Sequence, residues 1–247
     1  MAEYVDRYCA FVDILGFRGL VSQLGNSISK VESLRNTLAT VHQQPLQAGP
    51  PLFLNTDFRT QSISDALVVS VAANEGALSE LIFSLQTLTM RLLVDGYFIR
   101  GAVVKGRLYH DDKMAFGEAL IRAYQYESTV ARYPRIMVLS DVVADTQKLK
   151  HLPNVFAPNL KQAEDGPMFI HVLRKMQADM NALSLAPDNY DTNALGEYDR
   201  IKKMIEERYR EAIDNPRHFE KVQWFARYWN ASLPAKTTSY RVLGVGL

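Results

Sequence analysis

The sequence predicts an α+β fold in which most strands of the sheet run antiparallel. An apolar, strand-like run ends at Asp13, and two further strand-like runs flank the polar pair Ser64-Asp65, a pattern typical of a β-hairpin. Between residues 77 and 95, leucines recur at spacings of three and four, which indicates an amphipathic helix. The predicted order βαββαββαβ is typical of an α+β arrangement, and further helices follow Arg174.

Apolar periodicity, glycine and proline punctuation, and capping residues set the predicted boundaries of the individual elements. In chain order they are a strand and turn at 7–17, a helix at Asn26–Gln43, a loop at Gln44–Pro51, a hairpin at about 53–72, a helix at Ala77–Asp95, a strand at Tyr97–Tyr109, a short strand at Met114–Phe116, a helix at Gly117–Arg132, a strand at Ile136–Leu139, a short helix from Ser140 and a last strand at Pro167–Arg174.

The composition changes after Arg174, so we predict a core at 1–174 and a helical C-terminal extension at 175–247. The stretch Gln177–Asn193 is largely polar and is expected to be a loop. Amphipathic periodicity predicts a helix over Tyr198–Ile213, and Pro216 opens an aromatic-rich helix. Aromatic residues at helical spacing usually pack, so we expect this block to cover the core or a partner subunit.

Length and composition exclude several classes of protein. The 247 residues suit one domain, or one domain with an extension. A formal net charge of +1 gives no strong attraction to nucleic acid or to a membrane surface. One cysteine excludes an internal disulfide and suits a reducing cytosol. The charged segment Met1–Arg7 is not followed by a signal-type apolar region, and no apolar run approaches a membrane span, so we expect a cytoplasmic location.

Two acidic residues are candidates for chemistry. A carboxylate at the end of a buried strand, as at Asp13, is costly unless it is paired or binds a metal, and Gly16 allows a sharp turn next to a ligand. The alternative is that Asp13 caps the following helix. If the hairpin pairs beside the first strand, Asp65 at its tip converges with Asp13. Two carboxylates with backbone oxygens then suit Mg²⁺ or Mn²⁺ holding a triphosphate.

Five segments, in order, resemble the motifs of class III nucleotidyl cyclases. FVDILGF at 11–17 is similar to F-x-D-I-x-G-F, ISD at 63–65 to I-G-D, RGAVVKGR at 100–107 to R-x-G-I-x-x-G, residues 117–127 with Gly117, Leu120, Ala123 and Glu127 to G-x-x-V-N-x-A-x-R-x-E, and IMVLS at 136–140 to I-x-V-S. The resemblance spans about residues 6–174 and implies a ferredoxin-like cyclase core. Within the family, the chain most resembles the bacterial pyrimidine cyclases of the Pycsar antiphage system.

The resemblance implies a reaction in which the 3′-oxygen of a nucleoside triphosphate attacks its α-phosphate and expels pyrophosphate. It implies two divalent cations, Mn²⁺ or Mg²⁺, held by Asp13, Asp65 and the carbonyl of Ile14. The backbone N–H groups of Leu15, Gly16 and Phe17 would then bind the β- and γ-phosphates.

Two arginines carry different expectations. Arg107 follows Gly106, where family members carry a triphosphate-binding arginine; the alternative is a surface arginine at a strand end. The family counterpart of Arg100 is mainly structural, so Arg100 is expected to be a strand residue with a partner.

The chain departs from the family pattern at two helix positions. Ile121 and Gln125 stand where the family has an asparagine that orients ribose and an arginine that stabilises the transition state. Neither residue supplies a positive charge, so the site is either inactive or takes its charge from elsewhere. Arg122 lies near the same helix face as Gln125 and is our candidate.

The positions that read the base in purine cyclases are Gln61 and Met114 here. Methionine cannot make the hydrogen bonds that recognise adenine, which favours a pyrimidine, UTP in preference to CTP. Arg59 shares a strand face with Gln61 and is predicted to contact base or phosphates, and Phe11 is predicted to stack on the base or to limit it.

The predicted assembly is a head-to-tail homodimer with shared sites, whose cyclic nucleotide product acts on a separate effector. Three alternatives stay open at this stage: an ATP or GTP cyclase, an inactive cyclase-like sensor that binds a nucleotide or a partner, and a helical interaction module that uses the C-terminal aromatic residues. His110, Asp111 and Asp112 suggest a metal site on composition, but we expect them to form a solvated turn. Cys9 is expected to lie in the core.

Overall fold

The computed structural model describes residues 3–22, 24–32, 35–36, 57–74, 76–148, 159–185 and 192–245. Eight strands within these residues form one mixed sheet. They are β1 (Val5–Ile14), β2 (Arg59–Ile63), β3 (Ala66–Ala72), β4 (Ile99–His110), β5 (Ala115–Phe116), β6 (Ile136–Val138), β7 (Leu160–Gln162) and β8 (Met168–Ile170). The strand order is β2-β3-β1-β4-β6-β8-β7, and β5 pairs with the end of β4.

Seven α-helices have both ends within the described residues. They are α1 (Phe17–Ser22), α2 (Ala77–Val94), α3 (Glu118–Gln125), α4 (Ser140–Lys148), α5 (Arg174–Leu185), α6 (Thr192–Glu211) and α7 (Pro216–Ala231). A single π-helical turn, Tyr126–Val130, continues α3. Residues 28–32 and 35–36 are helical inside the predicted helix Asn26–Gln43, most of whose second half lies outside the described residues, as does the predicted loop Gln44–Pro51.

The strand β1 lies at the centre of the sheet and is antiparallel to both of its neighbours, β3 and β4. Its side chains alternate between two cores because successive residues of a strand point to opposite faces. Tyr8, Ala10, Val12 and Ile14 belong to the main core, whereas Cys9 and Phe11 belong to a smaller cluster under α3. Cys9 is fully buried as predicted, and burial raises the pKa of its thiol to about 12.

The main core joins the sheet to the C-terminal helices. The leucines that predict α2 are buried in it, and so are Tyr198 and Ile201 of α6 and Phe225 and Trp229 of α7. The indole N–H of Trp229 donates to the carbonyl of Tyr240 at 2.9 Å, so the large ring is buried without losing its hydrogen bond. The C-terminal aromatic block therefore covers the core of its own chain.

Three local expectations were wrong. The polar stretch that begins at Gln177 is largely helical, because Met176 and Met180 lie one turn apart and fully bury their side chains. The three-residue strand β7 carries too short a pattern to be predicted. His110 is not solvated: it is 1% exposed, Ser70 lies 2.7 Å from its Nδ1, and burial lowers its pKa to about 4.

The helix Ala77–Val94 meets the length and apolarity of a membrane span, although the sequence analysis found no such run. In the structure 67% of it is buried inside the protein, so it packs as a core helix.

A substitution at Gly101 can test how closely β1 and β4 approach each other. A Cβ atom at Gly101 would lie 2.6 Å from the carbonyl oxygen of Phe11, whereas one at Gly106 would make an ordinary 3.5 Å contact with Ala119. We expect Gly101→Ala to lower the free energy of unfolding by about 2–3 kcal/mol, because backbone must shift to relieve the clash. Urea titration gives the measurement, and Gly106→Ala on the same strand is the control, expected to change stability by less than about 0.5 kcal/mol. Equal stability of the two variants would contradict this packing.

Candidate active site

The β2–β3 hairpin brings Asp65 to Asp13. Its tip is the two-residue loop Ser64-Asp65, with Ser64 in the left-handed region at φ 59°. Asp13 lies opposite Ala66 in the register of β1 with β3, so the hairpin tip lies beside the end of β1. The two carboxyl groups are hydrogen-bonded to each other. The predicted convergence is thus confirmed, and the alternative of a helix cap at Asp13 is wrong, because α1 begins only at Phe17.

A third carboxylate and one arginine complete the cluster. Arg100, opposite Asp13 on β4, lies 3.6 Å from it through Nη2 and forms a short ion pair with Glu127 through Nε. Glu127 is 3% exposed and belongs to the π-helical turn after α3, a feature that is frequent at functional sites. Arg100 thus has the partner predicted for it, and that partner places it at the candidate site.

The electrostatics of the cluster favour a bound cation. Burial, the hydrogen bond to Asp65 and the negative charges of Glu127 and Asp65 raise the pKa of Asp13 to about 7, and Arg100 opposes the shift. Burial also raises the pKa of Glu127. One arginine therefore faces three carboxyl groups, which leaves negative charge that a divalent cation would neutralise.

The donor set fits Mg²⁺ or Mn²⁺ at Asp13 and Asp65, since both ions prefer carboxylate and carbonyl oxygens and complete their shells with water and phosphate. No group of three His, Cys, Asp or Glu side chains in the described part of the chain is spaced as an all-protein metal site. A substrate would then have to complete the coordination.

The turn after β1 has the backbone form that the sequence predicts, with one exception. Gly16 has φ 82° and is exposed, and open space surrounds the position of a Cβ there. The N–H of Leu15 donates to the carbonyl of Phe98 at 2.8 Å, so it is not available to a phosphate. The prediction that Leu15 binds phosphate is therefore wrong for this arrangement.

The structure does not bring Arg107 to the carboxylates of its own chain. Arg107 lies opposite Asp6, seven residues along β4 from Arg100, a separation of about 23 Å at the usual rise of a strand. Its guanidinium lies 4.7 Å from the centre of the Tyr4 ring and donates to the Tyr4 carbonyl. The arginine at the cluster is Arg100, because the register of β1 with β4 places it opposite Asp13.

Arg122 is also held away from Asp13 within one chain. Its guanidinium donates to the carbonyl of Lys105 at 2.8 Å and to Asp141 at 3.1 Å. Lys105 is five residues along β4 from Arg100. A catalytic role for Arg122 at these carboxylates stays a prediction and requires a second chain.

The predicted base-reading residues are partly assembled. Gln61 donates to the carbonyl of Lys113 at 2.9 Å, which places it beside Met114, whose side chain is 50% exposed. Arg59 is held by Asp57 at 2.8 Å, and the same carboxylate also pairs with Arg7. Phe11 is 8% exposed and packs edge-to-face against Tyr124, so its ring is not presented to a base in the single chain.

No family model and no curated protein sequence matches the chain, but solved structures share its fold. One is the monomeric guanylyl cyclase domain of the RhoGC fusion protein from the aquatic fungus Blastocladiella emersonii, with 12% sequence identity and a TM-score of 0.50 over 69% of this chain and 97% of that domain. Another is the catalytic core of a rhodopsin-guanylyl cyclase with converted specificity, in complex with ATPαS, with 15% identity and a TM-score of 0.44 over 68% of this chain and 95% of that one.

At this level of identity the first match establishes fold and not activity. The predicted α+β class III cyclase fold is confirmed, since the mixed sheet and its helices match a guanylyl cyclase domain over nearly the whole of that domain.

The raised pKa of Asp13 predicts a pH-dependent stability. The folded protein keeps this carboxyl protonated up to about pH 7, whereas the unfolded chain ionises it near pH 4, so the contribution of Asp13 to stability is lost as pH rises between these values. In metal-free protein, Asp13→Asn should therefore be more stable than wild type at pH 8, by on the order of 2 kcal/mol, with the difference vanishing near pH 4. Denaturant titrations across this range give the measurement.

Asp165 provides a control of opposite sign. Its hydrogen bonds to Arg135, at 2.7 and 2.6 Å, lower its pKa, so Asp165→Asn should destabilise the protein at neutral pH and lose its effect in acid. The same pH profile for both variants would refute the proton shared within the Asp13 cluster.

Proposed function

We propose that this protein is a nucleotidyl cyclase, a phosphorus–oxygen lyase that converts a nucleoside triphosphate to its 3′,5′-cyclic nucleotide and pyrophosphate. The observation that carries the proposal is the hydrogen-bonded pair Asp13 and Asp65 beside the Gly16 turn, in a fold shared with a guanylyl cyclase domain. An acidic pair in which the pKa of Asp13 is raised, next to a glycine turn suited to backbone phosphate binding, is difficult to explain by stability alone.

The residues of the chain would act by positioning and by charge. Two divalent cations at Asp13, Asp65 and the Ile14 carbonyl would supply activation of the 3′-hydroxyl and neutralisation of the leaving pyrophosphate. Arg100 holds Glu127 and Asp13 in place, so the carboxylates face the site in a fixed arrangement. Gly16 leaves room for phosphate oxygens at the backbone, and the N–H of Phe17 is the second predicted donor.

The preferred substrate in this proposal is a pyrimidine nucleotide, UTP before CTP. Met114 offers no hydrogen bond to a purine, and the Gln61 amide beside it is the one polar group of the predicted pair. The product would serve as a second messenger of antiphage defence that acts on a separate effector. The guanylyl cyclase neighbour favours GTP instead, ATP stays the other purine alternative, and Ile121 and Gln125 favour an inactive, nucleotide-binding sensor.

A two-fold homodimer with shared sites would supply what one chain lacks. Apolar side chains are exposed on and beside α3, namely Met114, Phe116, Ile121, Tyr124 and Val130. Arg122 lies on the same helix, away from the carboxylates of its own chain. An exposed apolar surface with aromatic residues is typical of an interface core, and a two-fold arrangement would give two equivalent sites. The guanylyl cyclase domain compared above is itself described as monomeric, so this assembly is part of the proposal.

Incubation with each of the four nucleoside triphosphates and Mn²⁺, followed by mass spectrometry, tests the reaction. We expect cyclic UMP as the main product, and Asp65→Asn should reduce its rate by at least about 10³-fold, because it removes one of two metal carboxylates. Asp199→Asn, a half-exposed carboxylate on α6 that pairs only with the exposed Lys203 in the described residues, is the matched control and should keep the wild-type rate. A folded Asp65→Asn protein at full rate would remove the assignment, and no cyclic product from any nucleotide would favour the inactive sensor.

Mixing two inactive variants tests the shared site. Asp65→Ala removes a metal carboxylate and Arg122→Ala removes the proposed contribution of the partner's helix, so a mixed dimer would contain one intact site. We expect recovery of up to about a quarter of wild-type activity when subunits exchange at random. Absence of recovery in verified mixed dimers, with both variants folded and inactive alone, would place both residues in one chain.

A further inference from the structure

A cavity of about 860 Å³ lies between the turn after β1 and the two C-terminal helices. Leu15 and Gly16 line it from the turn, and Arg217 and Lys221 line it from the first two turns of α7. This places cationic side chains of the C-terminal extension opposite the exposed backbone of the proposed phosphate-binding turn.

The two cations that α7 contributes to the cavity, Arg217 and Lys221, have no neutralising partner among the described residues. Within the described residues, neither Arg217 nor Lys221 has an ion-pair or hydrogen-bond partner for its side chain. Burial lowers the pKa of Lys221, and the positive charges of Arg100, Arg132 and Arg217 lower it further, against Glu220 alone. Glu220 is itself paired with Arg132, so it does not neutralise Lys221. Lys221 is half-buried, and an unpaired, half-buried cation is costly unless an anion joins it, whereas Arg217 beside it is exposed.

The charge in the cavity is divided between its walls. The carboxylates Asp95, Glu207 and Glu211 come from the end of α2 and from α6. The guanidinium of Arg208 on α6 already has a hydrogen-bond partner, since it donates to the carbonyl of Gly96 at 2.8 Å. An anion would therefore bind on the α7 side. There the positive charge of Arg100 acts on Lys221, and Arg100 in turn pairs with Asp13.

We propose that Lys221 and Arg217 form a polyphosphate subsite in this cavity, together with the backbone of the Gly16 turn. The ligand class is a linear polyphosphate, either the triphosphate tail of the substrate or the pyrophosphate product; its link to a nucleotide rests on the proposed cyclase function. Lysine supplies a compact charge and arginine a planar fork, a combination that suits terminal phosphate oxygens. In this way α7 would supply positive charge to the site, which α3 lacks because it carries Gln125 where the family has an arginine.

Calorimetric titration with inorganic tripolyphosphate tests the subsite on the full-length chain at fixed ionic strength. We expect Lys221→Gln and Arg217→Gln each to raise the dissociation constant about tenfold, as is usual for loss of one charge-assisted contact, and the double variant about a hundredfold. Lys221→Arg should retain most of the affinity because it keeps the charge. Arg210→Gln is the control: Arg210 is an exposed arginine on α6 that does not line the cavity, and its loss should leave the affinity unchanged.

Uridine, pyrophosphate and UTP separate the possible roles. Uridine binding should be the same in all variants, because it carries no phosphate; its loss in Lys221→Gln would mean a structural defect and would overturn the proposal. If the dissociation constants of pyrophosphate and UTP rise by the same factor, one subsite binds both the triphosphate tail and the product. If only that of pyrophosphate rises, the subsite binds the product. Either result supports the proposal. Failure of wild type to bind tripolyphosphate, or unchanged affinity in the folded double variant, overturns it.

The binding test of the subsite does not depend on whether the protein has cyclase activity. If no cyclic nucleotide forms from any triphosphate, the proposed function fails, while binding of tripolyphosphate that depends on Lys221 would leave the subsite in place. If cyclisation occurs but Lys221→Gln and Arg217→Gln keep the wild-type affinity and KM, the subsite fails and the cyclase remains.

Discussion

The antiparallel pairing of β1 with both β3 and β4 is the constraint on which the candidate site depends. One residue, Asp13, lies opposite Ala66 on one side and opposite Arg100 on the other. A slip of one residue would turn Asp13 into the main core and separate it from Asp65 and Arg100, because strand side chains alternate with a period of two. The burial of Tyr8, Ala10, Val12 and Ile14 on the opposite face fixes this register. Core packing on one face thereby determines chemistry on the other.

The cluster also shows why such a site costs stability. Three carboxyl groups share one arginine, Asp13 is shifted toward its protonated form, and Glu127 is nearly fully buried. Removing Arg100 would leave Glu127 buried and unpaired, which is typically more damaging than losing an exposed ion pair. The main role of Arg100 is therefore to pair with Glu127 inside the fold, which agrees with the structural role expected for it. Any contact of Arg100 with a ligand is secondary. The remaining negative charge is what a bound cation would neutralise.

The parts of the site that depend on local pattern could be predicted from sequence. Asp65 at a two-residue hairpin tip and Gly16 after an apolar run are local signals, and both lie where expected. Arg107 could not be placed by motif spacing alone, because its distance from Asp13 is set by the register of two strands far apart in sequence. The surroundings of Phe11 could not be predicted for a related reason: whether a ring near the end of a strand is open or covered depends on how α3 packs over it.

The C-terminal helices were the least predictable part, because their role follows from tertiary packing. The buried spacing of Met176 and Met180 makes a helix of a polar stretch, and Tyr198, Phe225 and Trp229 then join the core of the sheet. Trp229 fixes α7 to that core, and the first turns of α7 line the cavity beside Gly16. Packing at one end of α7 thus determines where the charges of Arg217 and Lys221 lie at the other. A helix that covers the hydrophobic core can in this way also set the electrostatic environment of a phosphate-binding turn without lying on the catalytic sheet.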